Sequence, residues 1–334
     1  MNLVLKRSVL GLAGAAALTA GPALAVEQLS AVHAFPPFLV YTQTFLSYVD
    51  EVNKRGAGVV KINVRGGPEA IGMFQQPAAV RDGVVDMVHT PGSFYGAEVP
   101  EIDAMVASNR TVAETRANGG RALMNEIHEK RFNVHYLAQI DGDVCFHIYM
   151  VNPPKFRADG VLDLSGVKLR DNPIYHAFFE KLNAVTASMK STEVYGALEK
   201  GTVESSAWTS IGLQQLKWDK FMKYRVDPCF YNTDLGIIVN LDKWNSLSDA
   251  AKKILTDVAI EVEQSSVAAR EADRVAEEAS LVANGMKLVA MSPAAGAKYI
   301  KMANDAAWAR MRKRLEKKGD TSYIERLRKL YYKE

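Results

Sequence analysis

The chain has 334 residues, 48% of them hydrophobic and 24% charged, the make-up of a folded globular protein of about two domains. A net charge of +3 excludes the strong basic excess of a nucleic-acid binder, and two cysteines exclude a disulfide-built scaffold. Disordered and collagen-like chains are excluded by the same composition.

The first element is an export signal. Lys6 and Arg7 precede an apolar stretch from Ser8 to Gly21, and Ala23-Leu24-Ala25 supplies a small-x-small cleavage site. The apolar stretch is too short for a bilayer helix, so residues 1–25 read as a cleaved signal, with an N-terminal membrane anchor as the competing reading. Cleavage after Ala25 removes two positive charges and no negative ones, leaving a nearly neutral chain. Export exposes Cys145 and Cys229 to oxidising conditions. They lie in the strand-like runs Val144–Val151 and Arg225–Tyr231, and pair only if those strands are neighbours; otherwise they are two buried thiols.

Strands and helices then alternate. Leu29–Phe35 reads as a strand, Pro37–Lys54 as a helix, Val59–Val64 as a strand, Met73–Arg81 as a helix and Val84–Val88 as a strand. The pattern returns with Val167–Arg170, the helices Ile174–Asn183 and Glu193–Lys200, and the strand Val203–Ala207. This alternation predicts parallel sheet of the α/β class. Long strands at Asn133–Ile140, Val144–Val151 and Leu235–Leu241 are placed to pass between two lobes as a hinge. Ser246-Leu247-Ser248-Asp249 fits a capping box, no proline follows until Pro293, and Asn284-Gly285 supplies a stop. The helix between them would be about 55 Å long, more than one small domain, so it is expected to lie across both lobes. A coiled coil competes, but the stripe lacks sustained Leu or Ile.

Catalytic motifs are absent. The six histidines form no HExxH or zinc spacing, no GxSxG elbow or Walker A stands after a strand, and Asp141-Gly142-Asp143 reads as a tight turn rather than a calcium loop. Arg310–Glu334 is rich in Lys and Arg and reads as a solvated helix face, or else as a docking surface for a membrane partner.

Leu164-Ser165-Gly166-Val167-Lys168-Leu169-Arg170 resembles the D-L-x-G-x-K-[IL]-R segment of solute receptors of tripartite ATP-independent periplasmic (TRAP) transporters. Glu193 to Glu204, Ile238-Val239-Asn240 with Trp244 and Ser246-Leu247-Ser248, and upstream Gly66-Gly67-Pro68-Glu69 and Val80 to Met87, follow in the family's order. The resemblance covers the whole chain after the signal. It implies a two-lobed periplasmic-binding-protein fold, with hinge strands and a long helix spanning both lobes. Lobe I would take 26–147 plus about 234–260, lobe II 148–233, the interlobe helix about 247–285, and a C-terminal helical segment 286–334 would pack on the lobes.

The function implied is that of a periplasmic, non-enzymatic receptor that closes on an organic acid and presents it to an integral membrane permease. Arg170 matches the arginine that grips the substrate carboxylate, for which a planar guanidinium is suited as lysine is not. Trp208 matches a second pocket position. Glu69, Phe35, Phe38, Tyr95, Phe230 and Asn232 fall where cleft-lining loops or the returning strand should be, though packing or turn-making suits each as well. Cation-binding relatives carry carboxylates where this chain has Ala207 and Phe230, so no metal and no cofactor is expected. Ser191 stands where many relatives have a pocket Phe, which leans the ligand towards a bulky or aromatic monocarboxylate. Small 2-oxo or 2-hydroxy acids and sugar acids are the alternatives. An exported enzyme would need an acid–base pair near Arg170, for which His176 and Asp171 are the candidates.

Overall fold

The computed structural model describes residues 25–333; the export signal expected before Ala25 lies outside them. The strands in chain order are β1 (Glu27–His33), β2 (Val60–Gly66), β3 (Met87–Pro91), β4 (Val134–Ala138) and β5 (Cys145–Met150). A short ribbon, β6 (Lys155–Phe156) with β7 (Leu162–Asp163), leads to β8 (Lys168–Asp171), β9 (Val185–Ser188) and β10 (Ser205–Thr209). The chain ends its sheets with β11 (Tyr224–Asn232), β12 (Leu235–Asn240) and β13 (Lys287–Ala290).

Two sheets form, ordered β2-β1-β3-β12-β4 and β13-β11-β5-β10-β8-β9. They are parallel except for one strand each: β12 runs against β3 and β4, and β5 runs against β10 and β11. Each reversed strand is the one that has just arrived from the other sheet, which the strand–helix alternation alone did not foretell. The chain crosses between sheets at residues 139–144 and 233–234. Thr233 ties the two crossings together, its N–H donating to Val144 O (2.8 Å) and its hydroxyl to Asp141 O (2.8 Å). Cys145 and Cys229 form a disulfide, linking β5 and β11 just beyond the crossings.

Apolar clusters lie on both faces of both sheets, as parallel strands require. On one face of the first sheet the helix Val40–Arg55 buries Tyr41, Phe45, Tyr48 and Val52, spaced at one helical face. It starts three residues later than Pro37, because Leu39 is still extended (ψ 138°). Its stop is steric as well as conformational: a Cβ on Gly56 would stand 2.7 Å from Val52 O.

The helix Asp249–Ala283 has 35 residues and starts at Ser248, whose side chain accepts from Ala251 N. The capping residue is thus Ser248 rather than Ser246, which closes a separate helix, Leu241–Ser246, by donating to Lys243 O. Leu255, Val258 and Ala259 pack under the first sheet, and Leu281 packs with Trp218 under the second, so the helix spans both. Residues 287–290, expected inside a helical segment, instead form β13 along β11; Gly285 (φ 92°) turns the chain there and Leu288-Val289 suits a strand. The helix Pro293–Lys318 also joins the two cores, through Tyr299 and Ala303 at one end and Met311 and Leu315 at the other. Its Arg310, expected on a solvated face, is nearly buried: it pairs with Asp103 (2.6 Å) and donates to Pro173 O (2.6 Å).

Candidate functional site

The C-terminal ends of β1, β3, β8 and β10 converge where the sheets face each other, the place open α/β sheets leave for ligands. A cavity of about 40 Å³ lies there. Phe35, Met73 and Phe94 wall it from the first lobe, Phe146, Ile174 and Trp208 from the second, and Thr233 to Leu235 from a crossing. The lobes touch around it: Tyr41 Oη donates to Thr209 Oγ1 (2.6 Å), Gln215 Oε1 accepts from Val40 N (3.0 Å), and Phe35 meets Trp208 edge-on at 6.1 Å. Burial pushes the Tyr41 hydroxyl far above the usual tyrosine range, so it keeps the proton it donates to Thr209.

Arg170 sits at the end of β8, only 1% exposed, just behind the cavity wall rather than on it. Its Nε and Nη2 donate to Met189 O (3.0 and 2.9 Å), and Nη1 donates to the hydroxyl of Tyr175, which does line the cavity. A guanidinium has five N–H donors, so these bonds leave two uncommitted. Among the described residues no carboxylate pairs with this buried cation. Trp218 lies beneath it, the ring centroid 6.0 Å from Cζ.

Elsewhere in the cavity wall, at the second crossing, Asp234 is 2% exposed and accepts from Ser93 N through Oδ2 (2.6 Å). Burial pushes its carboxyl up to about 6. Ser93 Oγ lies close to this carboxyl but outside hydrogen-bond geometry, and Ser93 Oγ, Ser191 Oγ and Trp208 Nε1 find no partner among the described residues. Ser93, Ser191 and Trp208 all line the cavity.

The structure brings Phe35, Trp208 and Ser191 together at the cavity, with Arg170 behind them. Phe38 is 55% exposed and walls an outer groove with Tyr195, Lys217 and Lys220, which Ser191 joins to the cavity. Glu69 makes a turn: its Oε1 accepts from Gly67 N (2.6 Å), which also holds its carboxyl below the usual range, and Gly66 takes φ 134°. Tyr95 stacks on Phe132 at 5.0 Å and bonds His128 (3.0 Å) inside the first lobe. Phe230 packs against Phe178 and Tyr299 in the second-lobe core, and Asn232 donates to Ser108 O (2.6 Å) near a crossing. Tyr41, Phe146, Tyr175 and Asp234 line the cavity without having been singled out from the sequence.

His176 and Asp171 are hydrogen-bonded to each other, but the imidazole is half-exposed and neither residue lines the cavity. His147 lies near the sulfurs of Cys145 and Cys229, a donor set a soft metal would accept. The two sulfurs are joined to each other, and His147 Nδ1 faces Asp227 at 2.8 Å.

Two α/β lobes, chain crossings bridged by long helices, and a buried cavity between strand ends define a two-lobed solute-binding protein. Residues 32–314 match the family model described as bacterial extracellular solute-binding protein, family 7, and the chain belongs to that family. A solute-binding protein of Albidiferax ferrireducens is 23% identical over 315 residues, covering 88% of this chain and 90% of the relative. Among solved structures, a TRAP transporter solute-binding protein from Bordetella bronchiseptica, with calcium and picolinate bound, superposes with TM-score 0.79 at 19% identity, covering 91% and 92% of the two chains. A Bordetella pertussis extracytoplasmic solute receptor binding pyroglutamic acid gives 0.77 at 18% identity, covering 92% and 99%. A Desulfovibrio salexigens TRAP protein with orotic acid also gives 0.77, at 19% identity, covering 91% and 98%. No helix of the described residues is long and apolar enough to cross a membrane.

Proposed function

We propose that this protein is the periplasmic receptor of a TRAP transport system, which closes on a small carboxylic acid and hands it to a membrane permease. The carrying observation is Arg170: a buried guanidinium with two N–H donors left over and no carboxylate of the described residues to neutralise it. Burying a cation without a partner is costly, and an anionic ligand removes that cost. The acid would lodge its carboxylate against Arg170 and Tyr175, and its body between Phe35, Phe146 and Trp208. A cavity of about 40 Å³, walled closely by aromatic side chains, suits a compact acid, flat or cyclic, more than a bulky one. The picolinate, pyroglutamate and orotate held by similar structures are acids of that kind.

Catalysis is not part of this reading. Neither His176 nor Asp171 lines the cavity, which argues against the pair as acid and base towards an acid held there. A thermal-shift screen of the protein, unfolded and refolded to strip carried-over ligand, tests the proposal against a library of carboxylic acids. Stabilisation by one chemical group of acids is the expected result, since a ligand at 100 times its Kd adds about 2.7 kcal/mol. Folded protein that no acid stabilises, or turnover of an acid that is lost in His176→Ala, would refute it.

A further inference from the structure

Asp234 adds a second polar group to the cavity wall, at the crossing between β11 and β12. It is 2% exposed, it lines the cavity, and Oδ2 is held by Ser93 N at 2.6 Å. That is the one bond of good geometry the carboxyl accepts among the described residues, although Ser93 Oγ and its own N–H lie close enough to favour the ionised form. An ionised carboxyl accepts hydrogen bonds only, through about four lone-pair sites, so the group demands donors from whatever enters. Ser93 Oγ, unpartnered beside it, can serve as donor or acceptor to the same ligand atoms. The rest of the first-lobe wall is apolar, Phe35, Met73, Pro91 and Phe94, apart from Tyr41, whose hydroxyl is committed to Thr209.

We infer that the ligand is bifunctional, carrying a carboxylate at one end and an N–H donor, of the lactam, imide or amine kind, at the other, with Asp234 as the residue that selects for that donor. This rests on the receptor reading above and narrows it. A simple apolar or aromatic monocarboxylate would set hydrocarbon against this carboxyl and bring it no donor, a mismatch that binding sites reject strongly. The selection is also pH-sensitive. With its carboxyl pushed up to about 6 by burial, Asp234 is ionised and a pure acceptor above that pH, and becomes a donor below it.

The test uses two probes differing in one ring atom, 2-pyrrolidone-5-carboxylate with a ring N–H and 5-oxotetrahydrofuran-2-carboxylate with a ring oxygen. Calorimetric titration is done on the ligand-stripped full-length protein, Asp234→Asn and Arg170→Met. Asn keeps an oxygen for Ser93 N and turns an NH2 into the cavity. The wild-type protein is expected to favour the N–H probe at least tenfold at pH 7.5, and to lose much of that margin at pH 5. Asp234→Asn should reverse the preference, and Arg170→Met should weaken both probes alike. Equal binding of the two probes by the wild type, a preference unchanged in Asp234→Asn, or tight binding of cyclopentanecarboxylate with neither probe bound would overturn the inference and leave the receptor reading standing. Binding abolished by EDTA would also overturn it, by assigning Asp234 to a cation. Folded protein that binds no carboxylate overturns both.

Discussion

Replacing Arg170 with methionine separates what the guanidinium does for the ligand from what it does for the fold. In the protein without ligand, the methionine side chain would fill a similar volume and remove a buried charge that no described carboxylate balances. The cost is one carbonyl: Met189 O loses both of its donors, worth about 1–3 kcal/mol for an unsatisfied buried acceptor. Tyr175 keeps a partner, since its hydroxyl also donates to Ala207 O at 3.0 Å. Relief of the unpaired cation offsets the lost bonds, so stability without ligand should change by less than about 2 kcal/mol. With ligand the balance is different. An acid in the cavity would lose a bidentate, buried partner, costing about 3–5 kcal/mol or two to four decades of affinity. Denaturant melts of the stripped protein give the first number and calorimetric titration the second. Affinity within threefold of wild type would refute the carboxylate role. A loss of more than about 4 kcal/mol in the ligand-free protein would mean that Arg170 is a structural brace, and the reasoning would fail.

Other perturbations probe closure, pH response and the disulfide. Tyr41→Phe removes the interlobe bond to Thr209, and should weaken ligand binding severalfold, about 0.5–1.5 kcal/mol, mainly through faster dissociation in stopped-flow traces. Burial holds His89 and His128 down at about 3, so both stay neutral when folded, while the unfolded chain takes up protons below about 6.5. Between pH 6.5 and 5 they should together subtract about 3 kcal/mol of stability. Asp141 acts with the opposite sign: burial raises it to about 7, so the folded state holds its proton first and it returns about 2 kcal/mol over the same range. Asp141→Asn should therefore make the fall on acidification steeper in urea melts, and an unchanged slope would contradict the assignment. Changing Cys145 and Cys229 to serine opens a link between positions 84 apart in sequence, and should lower stability by about 2–5 kcal/mol, matching the effect of reductant on the wild-type protein.

The scaffold was legible because its signals are local. Ser248 with Ala251 N starts the long helix, Asn284-Gly285 ends it, and buried positions on Val40–Arg55 recur at helical spacing, all within a few neighbouring residues. The site was legible only in part, because its residues meet across long separations. Asp234 stands in the run Asn232-Thr233-Asp234-Leu235 between two strands, where a polar residue reads as a turn; its meaning comes from Ser93, 141 positions away. Phe230 misled for a related reason. β11 slips register around Pro228, and the slip sets Phe230 opposite Phe146, with its ring in the core against Phe178. Tyr95, near Ser93 and Phe94 in sequence, turns the other way and stacks on Phe132.

The order in which the strands arrive has a consequence for how the chain must be made. β12 stands between β3 and β4, yet it comes about a hundred residues after β4. A chain emerging N-terminus first therefore presents β3 and β4 with facing, unpaired edges until β12 is made, and the second sheet waits still longer for β13. Neither half can finish alone: the helix Pro293–Lys318 joins both cores near the end of the chain, and Ile324, Leu327 and Tyr331 complete the first-lobe core after it. Such long-range pairing is slow and leaves unpaired strand edges exposed while the chain is incomplete.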